Sequence, residues 1–235
     1  MSKFEQVMCV RSSQVKNKLH QGFNPVEGNE VEKEAWFNSI IPPQEVVIGS
    51  RHWLEKDSDY LQLIPSIVFR KPDGSILYYQ RVKGTGESRL LGNYSVTAGG
   101  HLALQDLCLK HDNCNYKTSE IEVIDSCWNG IYREVQEELG VDLDSITDTD
   151  FDTMFSEFKG FIYDTSNDVG AKHIGLLFVF DVEDVEFDTG IAESEGMLLK
   201  GFDTPHRLSQ HHDYDAINME NWSRIVCDYL DENEV

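Results

Sequence analysis

The sequence predicts an α/β fold, and three patterns carry that prediction. Residues 61–81 hold two apolar, strand-like runs around a Pro-Asp-Gly turn. Residues 126–139 place apolar side chains four apart, as a helix does, and a second amphipathic helix closes the chain. At 235 residues the chain is long enough for one substantial core, or a core with a small appendage.

Phe4 to Val10 reads as a strand, and Val31 to Ile40 as an amphipathic helix stopped by Pro42 and Pro43. Residues 1–55 are expected to form an N-terminal extension packed on a main domain at 56–235. Leu63–Arg70 and Ser75–Arg81 predict a hairpin through Pro72-Asp73-Gly74, and Gly84–Ser88 a loop. Tyr94–His101 reads as a short strand carrying Gly99-Gly100, and residues 103–124 are polar and irregular. A helix follows over 126–139, with Asp125 as its N-cap and Gly140 just past its end. Later strands are expected at Glu157–Tyr163, Ile174–Val182 and Met197–Phe202. A last helix over 216–230 presents Ile217, Trp222, Ile225, Val226, Tyr229 and Leu230 to the sheet.

Composition sets outer limits on function. The 42 acidic and 20 basic residues give a net charge of −22, which disfavours tracking long nucleic acid through phosphate contacts. A short anionic substrate stays open to such a chain, because bound divalent cations reverse the local field. No apolar run reaches the roughly 20 residues of a membrane span, and no secretory signal opens the chain. The expectation is a cytoplasmic protein. Five irregularly spaced cysteines make a poor disulfide framework, so reduced thiols are expected.

The chemistry concentrates in Arg133-Glu134-Val135-Gln136-Glu137-Glu138-Leu139-Gly140-Val141. On a helix Glu134, Glu137 and Glu138 fall at i, i+3 and i+4, so their carboxylates share one side of a turn. Ile131, Val135 and Leu139 run down another side and anchor the helix. Glutamate pairs on solvated helix faces are common, and alone they indicate little. Like charges this close repel, and Mg²⁺, which takes hard carboxylate oxygens, would relieve them.

The whole string resembles the C-terminal half of the Nudix box, Arg-Glu-U-x-Glu-Glu-x-Gly-U with U aliphatic, and matches each defined position. The N-terminal half departs from the pattern: Asp125 and Ser119 stand where the box has Glu and Gly. From Gly100 to Arg133 is 33 residues where the box has 14, which implies a 19-residue insertion within 103–124. Gln62-Leu63-Ile64-Pro65, Arg89-Leu90-Leu91-Gly92, His173-Ile174-Gly175-Leu176 and Asn221-Trp222-Ser223 add a likeness to a bacterial group of Nudix hydrolases.

That resemblance implies an α/β/α sandwich around a mixed sheet, with the two helices on opposite faces and residues 1–55 as an added layer. It implies Mg²⁺-dependent hydrolysis, with Mn²⁺ as a substitute, of a diphosphate linkage in a small nucleotide-like substrate. Glu134, Glu137 and Glu138 match the metal-binding carboxylates, and the carbonyl of Gly99 matches the backbone ligand. Glu134 also matches the position that orients the attacking water, and Arg133 the arginine that orients the glutamates. Many members add an acidic residue from a later loop; no motif chooses between Glu193 and Glu195. The family's frequent pairing of subunits allows a homodimer.

Two other readings compete. One is a catalytically silent Nudix-fold protein that binds a nucleotide or a partner. The other is the prenyl diphosphate isomerase branch, which needs a cysteine where this chain has Thr97-Ala98-Gly99-Gly100.

Weaker signals surround this core. Arg81, Lys83 and Arg89 stand near the same face, and Arg89 is chosen for substrate phosphate because its fork suits that group; surface ion pairing is the ordinary use of such residues. Cys108, His111 and Cys114, with Cys127 beyond, have Zn²⁺-type donors at spacings unlike a standard finger. His206, His211 and His212 near Asp213 and Asp215 fit a solvated loop, and His173 a core or pocket wall.

Overall fold

The computed structural model describes residues 5–82, 90–109, 121–146, 154–183, 185–210 and 218–233. The chain runs β1 (Gln6–Arg11), α1 (Ser12–Val15), β2 (Gly22–Pro25), α2 (Glu30–Ile40), β3 (Val46–Ser50), α3 (Arg51–Leu54), β4 (Tyr60–Arg70), β5 (Ile76–Arg81) and β6 (Tyr94–Ser95). It continues through α4 (Val123–Leu139), α5 (Met154–Glu157), β7 (Phe158–Tyr163), β8 (His173–Asp181), α6 (Thr189–Ser194), β9 (Met197–Asp203), α7 (Pro205–Gln210) and α8 (Asn221–Asn233).

At the centre β4 and β8 pair in parallel, from Gln62 opposite His173 to Arg70 opposite Asp181. The sheet order β2-β7-β8-β4-β1-β3 extends from this pair in both directions, and β5, with β6 and β9, joins the far end of β4. Parallel strands need both faces covered, which explains why β8 is apolar at almost every position. Its Ile174, Leu176, Phe178 and Phe180 pack with Val123, Cys127, Ile131, Val135 and Leu139 of α4. Leu177 and Val179 point the other way, toward Val226, Cys227 and Leu230 of α8. The period-two alternation of one strand thus serves two helical layers, and the expected α/β/α sandwich around a mixed sheet is what forms.

Residues 5–55 enter the sheet itself. β1 pairs with β4 and β3, while β2 pairs with β7 at the opposite edge. The helix expected over 31–40 is α2, capped by reciprocal bonds between Asn29 and Glu32.

Three boundaries differ from expectation, each because a side chain or strand claims backbone groups. The first helix begins at Val123, not Ser126, and Asp125 lies in its first turn instead of capping it. The Ser126 hydroxyl donates to the Glu122 carbonyl (2.7 Å) and accepts the Cys108 N–H (2.9 Å), tying the extra turn to the preceding loop. The strand expected over 94–101 is regular only at Tyr94–Ser95, because the Val96 N–H turns to the Ser223 hydroxyl (3.1 Å). The last helix begins at Asn221: Tyr94 bonds to the Asn218 carbonyl and the Glu220 N–H, which removes those groups from a helical ladder. Residues 84–88, 216 and 217 lie outside the described residues. Gly140 ends α4 in the left-handed conformation at φ +67°, as its position suggested.

Asp164, fully buried after β7, holds this end of the sandwich together. It accepts from Ser166 N–H (2.9 Å), Asn167 Nδ2 (3.3 Å), Asn221 Nδ2 (2.6 Å) and the Gln21 side-chain amide. Burial alone would raise its carboxyl, but these donors outweigh burial and hold it below the usual carboxylate range. The folded-state value is therefore depressed, so its stabilisation is present above the unfolded value and is lost as pH falls through the folded one. Asp164→Ala should cost on the order of 2–3 kcal/mol in urea unfolding at pH 7, with the gap to wild type shrinking toward pH 3. A pH-independent gap would remove this account.

Candidate active site

The middle of β4, the segment after β6, the start of β8 and the last two turns of α4 enclose a pocket of about 400 Å³. Glu134, Glu137 and Glu138 line it from α4, Gly99, Gly100 and His101 from the segment after β6, and Glu195 from the end of α6. Asn221 and Trp222 reach it from the start of α8.

Two glycines let α4 come this close. Gly99 sits at φ +125°, and a Cβ there would stand 2.2 Å from the Pro65 carbonyl oxygen. A Cβ on Gly100 would stand 2.5 Å from Glu134 Oε1. With both absent, the Gly99 N–H donates to Glu138 Oε2 at 3.0 Å. This bond ties the strand end directly to the helix.

Arg133 organises the other carboxylates. Its Nε and one terminal nitrogen donate to Asp106 at 2.8 and 2.9 Å, and that nitrogen also reaches the His101 carbonyl at 3.1 Å. The second terminal nitrogen donates to Glu134 (2.7 Å) and Glu137 (3.0 Å). The side chain of Glu134 is 13% exposed and that of Glu137 57%, so one carboxylate faces the protein and the other faces water. Burial pushes the carboxyl of Glu134 up despite Arg133. Burial, then the charge of Glu134, pushes Glu138 up to about 7.

The three helix glutamates thus share the pocket wall without collapsing into one knot. Among the described residues, the one set of three donor atoms within 4.8 Å of one another is Glu55, His101 and His173. Arg133 and the Gly99 N–H hold the glutamates at a wider spacing.

Of the two later acids, Glu195 lines the pocket and acts on the carboxyl of Glu138, whereas Glu193 is absent from the lining. Arg81 also lines the pocket and is bound to Glu220. Arg89 and Lys83 lie outside the described residues, as do His111, Cys114, His211, His212, Asp213 and Asp215. Cys108 donates its thiol to Asp125 (3.7 Å), and Cys127 is buried in the core. His206 pairs with Asp231 on the surface (3.0 Å).

Sequence reasoning missed Asp106, Glu220 and the Glu55–His101–His173 group. Asp106 sits in a polar stretch without periodicity, although burying an aspartate to 2% exposure demands a cation. Glu55, His101 and His173 are separated by tens of residues and meet only through strand register.

No family model matches the chain. Protein YmaB of Bacillus subtilis strain 168 is 28% identical over 179 residues, covering 75% of this chain and 74% of YmaB. The crystal structure of Tm1382, described as a candidate Nudix hydrolase, superposes with a TM-score of 0.64 at 20% identity. That superposition covers 96% of this chain and 98% of Tm1382, so the N-terminal strands belong to the shared architecture. The chain has the Nudix fold, with Arg133–Leu139 of its string on the pocket-lining helix and Gly140 ending that helix.

Proposed function

We propose that this protein is a Nudix-type pyrophosphohydrolase that cleaves a diphosphate linkage in a nucleoside diphosphate derivative, with Mg²⁺ or Mn²⁺ as cofactor. One observation carries the reading. Glu134 and Glu138 stand largely out of water on a pocket wall, both pushed toward protonation by burial, with Glu137 and Glu195 beside them. An arrangement this costly is relieved by a cation.

The donor set fits a hard dication. Every candidate side chain offers carboxylate oxygen, and the spacing kept by Arg133 suits Mg²⁺, which retains several waters in its shell. Glu134, Glu137 and Glu138 would hold it, with the Gly99 carbonyl and Glu195 as further oxygen donors. When bound, such an ion neutralises phosphoryl oxygens and acts as a Lewis acid.

The chain's own groups do the rest. Arg133 fixes Glu134 and Glu137 relative to each other, so their carboxylates meet the substrate preorganised. Glu134 would orient an attacking water toward the scissile phosphorus. From the α8 side Trp222 lines the same pocket, and its buried indole N–H has no hydrogen-bond partner among the described residues.

Purified protein should release phosphate or mononucleotide from a panel of dinucleotides, nucleotide sugars and nucleoside triphosphates, and only with Mg²⁺ or Mn²⁺ present. Glu137→Gln and Glu138→Gln should each lower turnover at least about 100-fold while far-UV circular dichroism stays unchanged. Near-normal turnover in both would end the proposal.

Burial of Glu138 also makes a pH prediction for metal-free protein. Its folded-state value is raised to about 7, so its contribution to stability is present below the unfolded carboxylate value and is lost as pH rises through 7. Glu138→Gln, neutral throughout, should therefore melt several degrees above wild type at pH 8, and the gap should narrow toward pH 5. Added Mg²⁺ should raise the wild-type melting temperature more than that of the variant. A gap that is constant with pH would contradict the burial argument.

A further inference from the structure

The parallel register of β4 and β8 sets Gln62 opposite His173, and Leu102 bonds to the Leu63 carbonyl, which brings His101 to the same level. Glu55, just past α3, completes the group. We propose that Glu55, His101 and His173 form a binding site for a first-row transition dication of the Zn²⁺ or Co²⁺ kind, separate from the glutamates of α4.

The geometry argues for it in four ways. His173 Nδ1 lies 2.6 Å from the Val169 carbonyl, so this nitrogen carries the proton and donates. Nε2 of the neutral ring is then an acceptor, facing Gln62 Nε2 at 3.3 Å and His101 Nε2 at 3.2 Å, and a metal-bound histidine commonly shows the same backbone support on its far nitrogen.

His101 Nε2 lies 3.2 Å from His173 Nε2. With metal–nitrogen bonds of roughly 2.1 Å, that separation subtends about 100° at a shared ion, as in tetrahedral or octahedral sites. The two rings stand edge to face at 71°, with centroids 5.1 Å apart, and do not stack.

Glu55 Oε1 stands 3.9 Å from the same His173 nitrogen. A carboxylate and an imidazole lone pair converging in a largely buried corner repel each other unless positive charge lies between them. Arg51 is engaged with Glu5 at 2.9 Å and reaches this same Oε1 of Glu55 only at 3.6 Å.

Fourth, Gln62 is completely buried, and its Oε1 has no hydrogen-bond partner among the described residues. Its Nε2 sits 3.3 Å from His173 Nε2, so exchanging the ends of the amide would put the oxygen there. With the oxygen so placed, a cation between it and the ring nitrogen would satisfy both acceptors.

Two imidazoles and one carboxylate select zinc or cobalt over magnesium. Three protein ligands leave open a coordination position, and both histidines line the pocket, so that position faces any anion bound there. The site does not depend on the diphosphate reading, and each can fail alone.

The test is a Co²⁺ titration of full-length, chelator-stripped protein, followed by visible absorption, with Zn²⁺ competition against a chromogenic chelator. Wild type should bind one tight equivalent with an intense d–d band in the visible, distinct from the weak absorption of Co²⁺ held by carboxylate and water oxygens. His173→Gln and Glu55→Gln should each weaken binding at least tenfold, while Glu137→Gln should not. Glu55 is only partly buried, so its variant keeps the test valid if His173→Gln fails to fold. Equal binding in wild type and Glu55→Gln would overturn the proposal, as would loss of the band in Glu137→Gln alone. Absence of any band in wild type would leave only a hydrogen-bonded histidine pair and would overturn it too.

Discussion

The guanidinium of Arg133 is where three parts of the chain are tied into one site. Its five N–H donors meet five acceptors: both oxygens of Asp106, the His101 carbonyl, Glu134 and Glu137. Asp106 belongs to the turn after the glycine pair, His101 to the segment leaving the sheet, and the glutamates to α4. An arginine can do this because its donors diverge in a rigid plane; lysine presents one rotating point charge. Removing one partner would leave others buried without compensation, and that penalty exceeds what a surface pair contributes.

The glycine pair sets the second constraint. Gly99 and Gly100 have no Cβ to collide with Pro65 and Glu134, so a backbone N–H reaches Glu138 directly. The carboxylates are thereby drawn out of water, which is costly in the free protein and useful where a cation must be held. Stability and function pull in opposite directions at this spot, as they do wherever charge is stored for binding.

How far the sequence could be read follows from which forces are local. The helix α4 was legible over 126–139 because its apolar positions recur with helical period and Gly140 marks its end, but its first turn from Val123 was not. β4, β5, β7, β8 and β9 were legible from runs bounded by turn residues. The glutamates and Arg133 were legible as a string because they lie on one turn. Long-range partners left no such trace. Asp106 lies 27 residues before Arg133 in a polar stretch, and only the folded chain shows it as the buried counter-ion. Glu220 and Tyr94 set the start of the last helix through backbone bonds that no local pattern encodes. His101 and His173 meet because β4 and β8 align in one register out of several, and sequence periodicity does not choose among registers.

Asp106, in a polar stretch without periodicity, is the aspartate on which Arg133 is seated. Binding of Mn²⁺ to Asp106→Asn and wild type, followed by electron paramagnetic resonance, tests this dependence most directly, because Asp106 does not line the pocket. The account requires affinity to fall roughly 10- to 100-fold in a variant that still folds, as when a group supporting metal ligands is lost. Affinity equal to wild type would show that the carboxylates hold their places without Arg133 being anchored, and would contradict it.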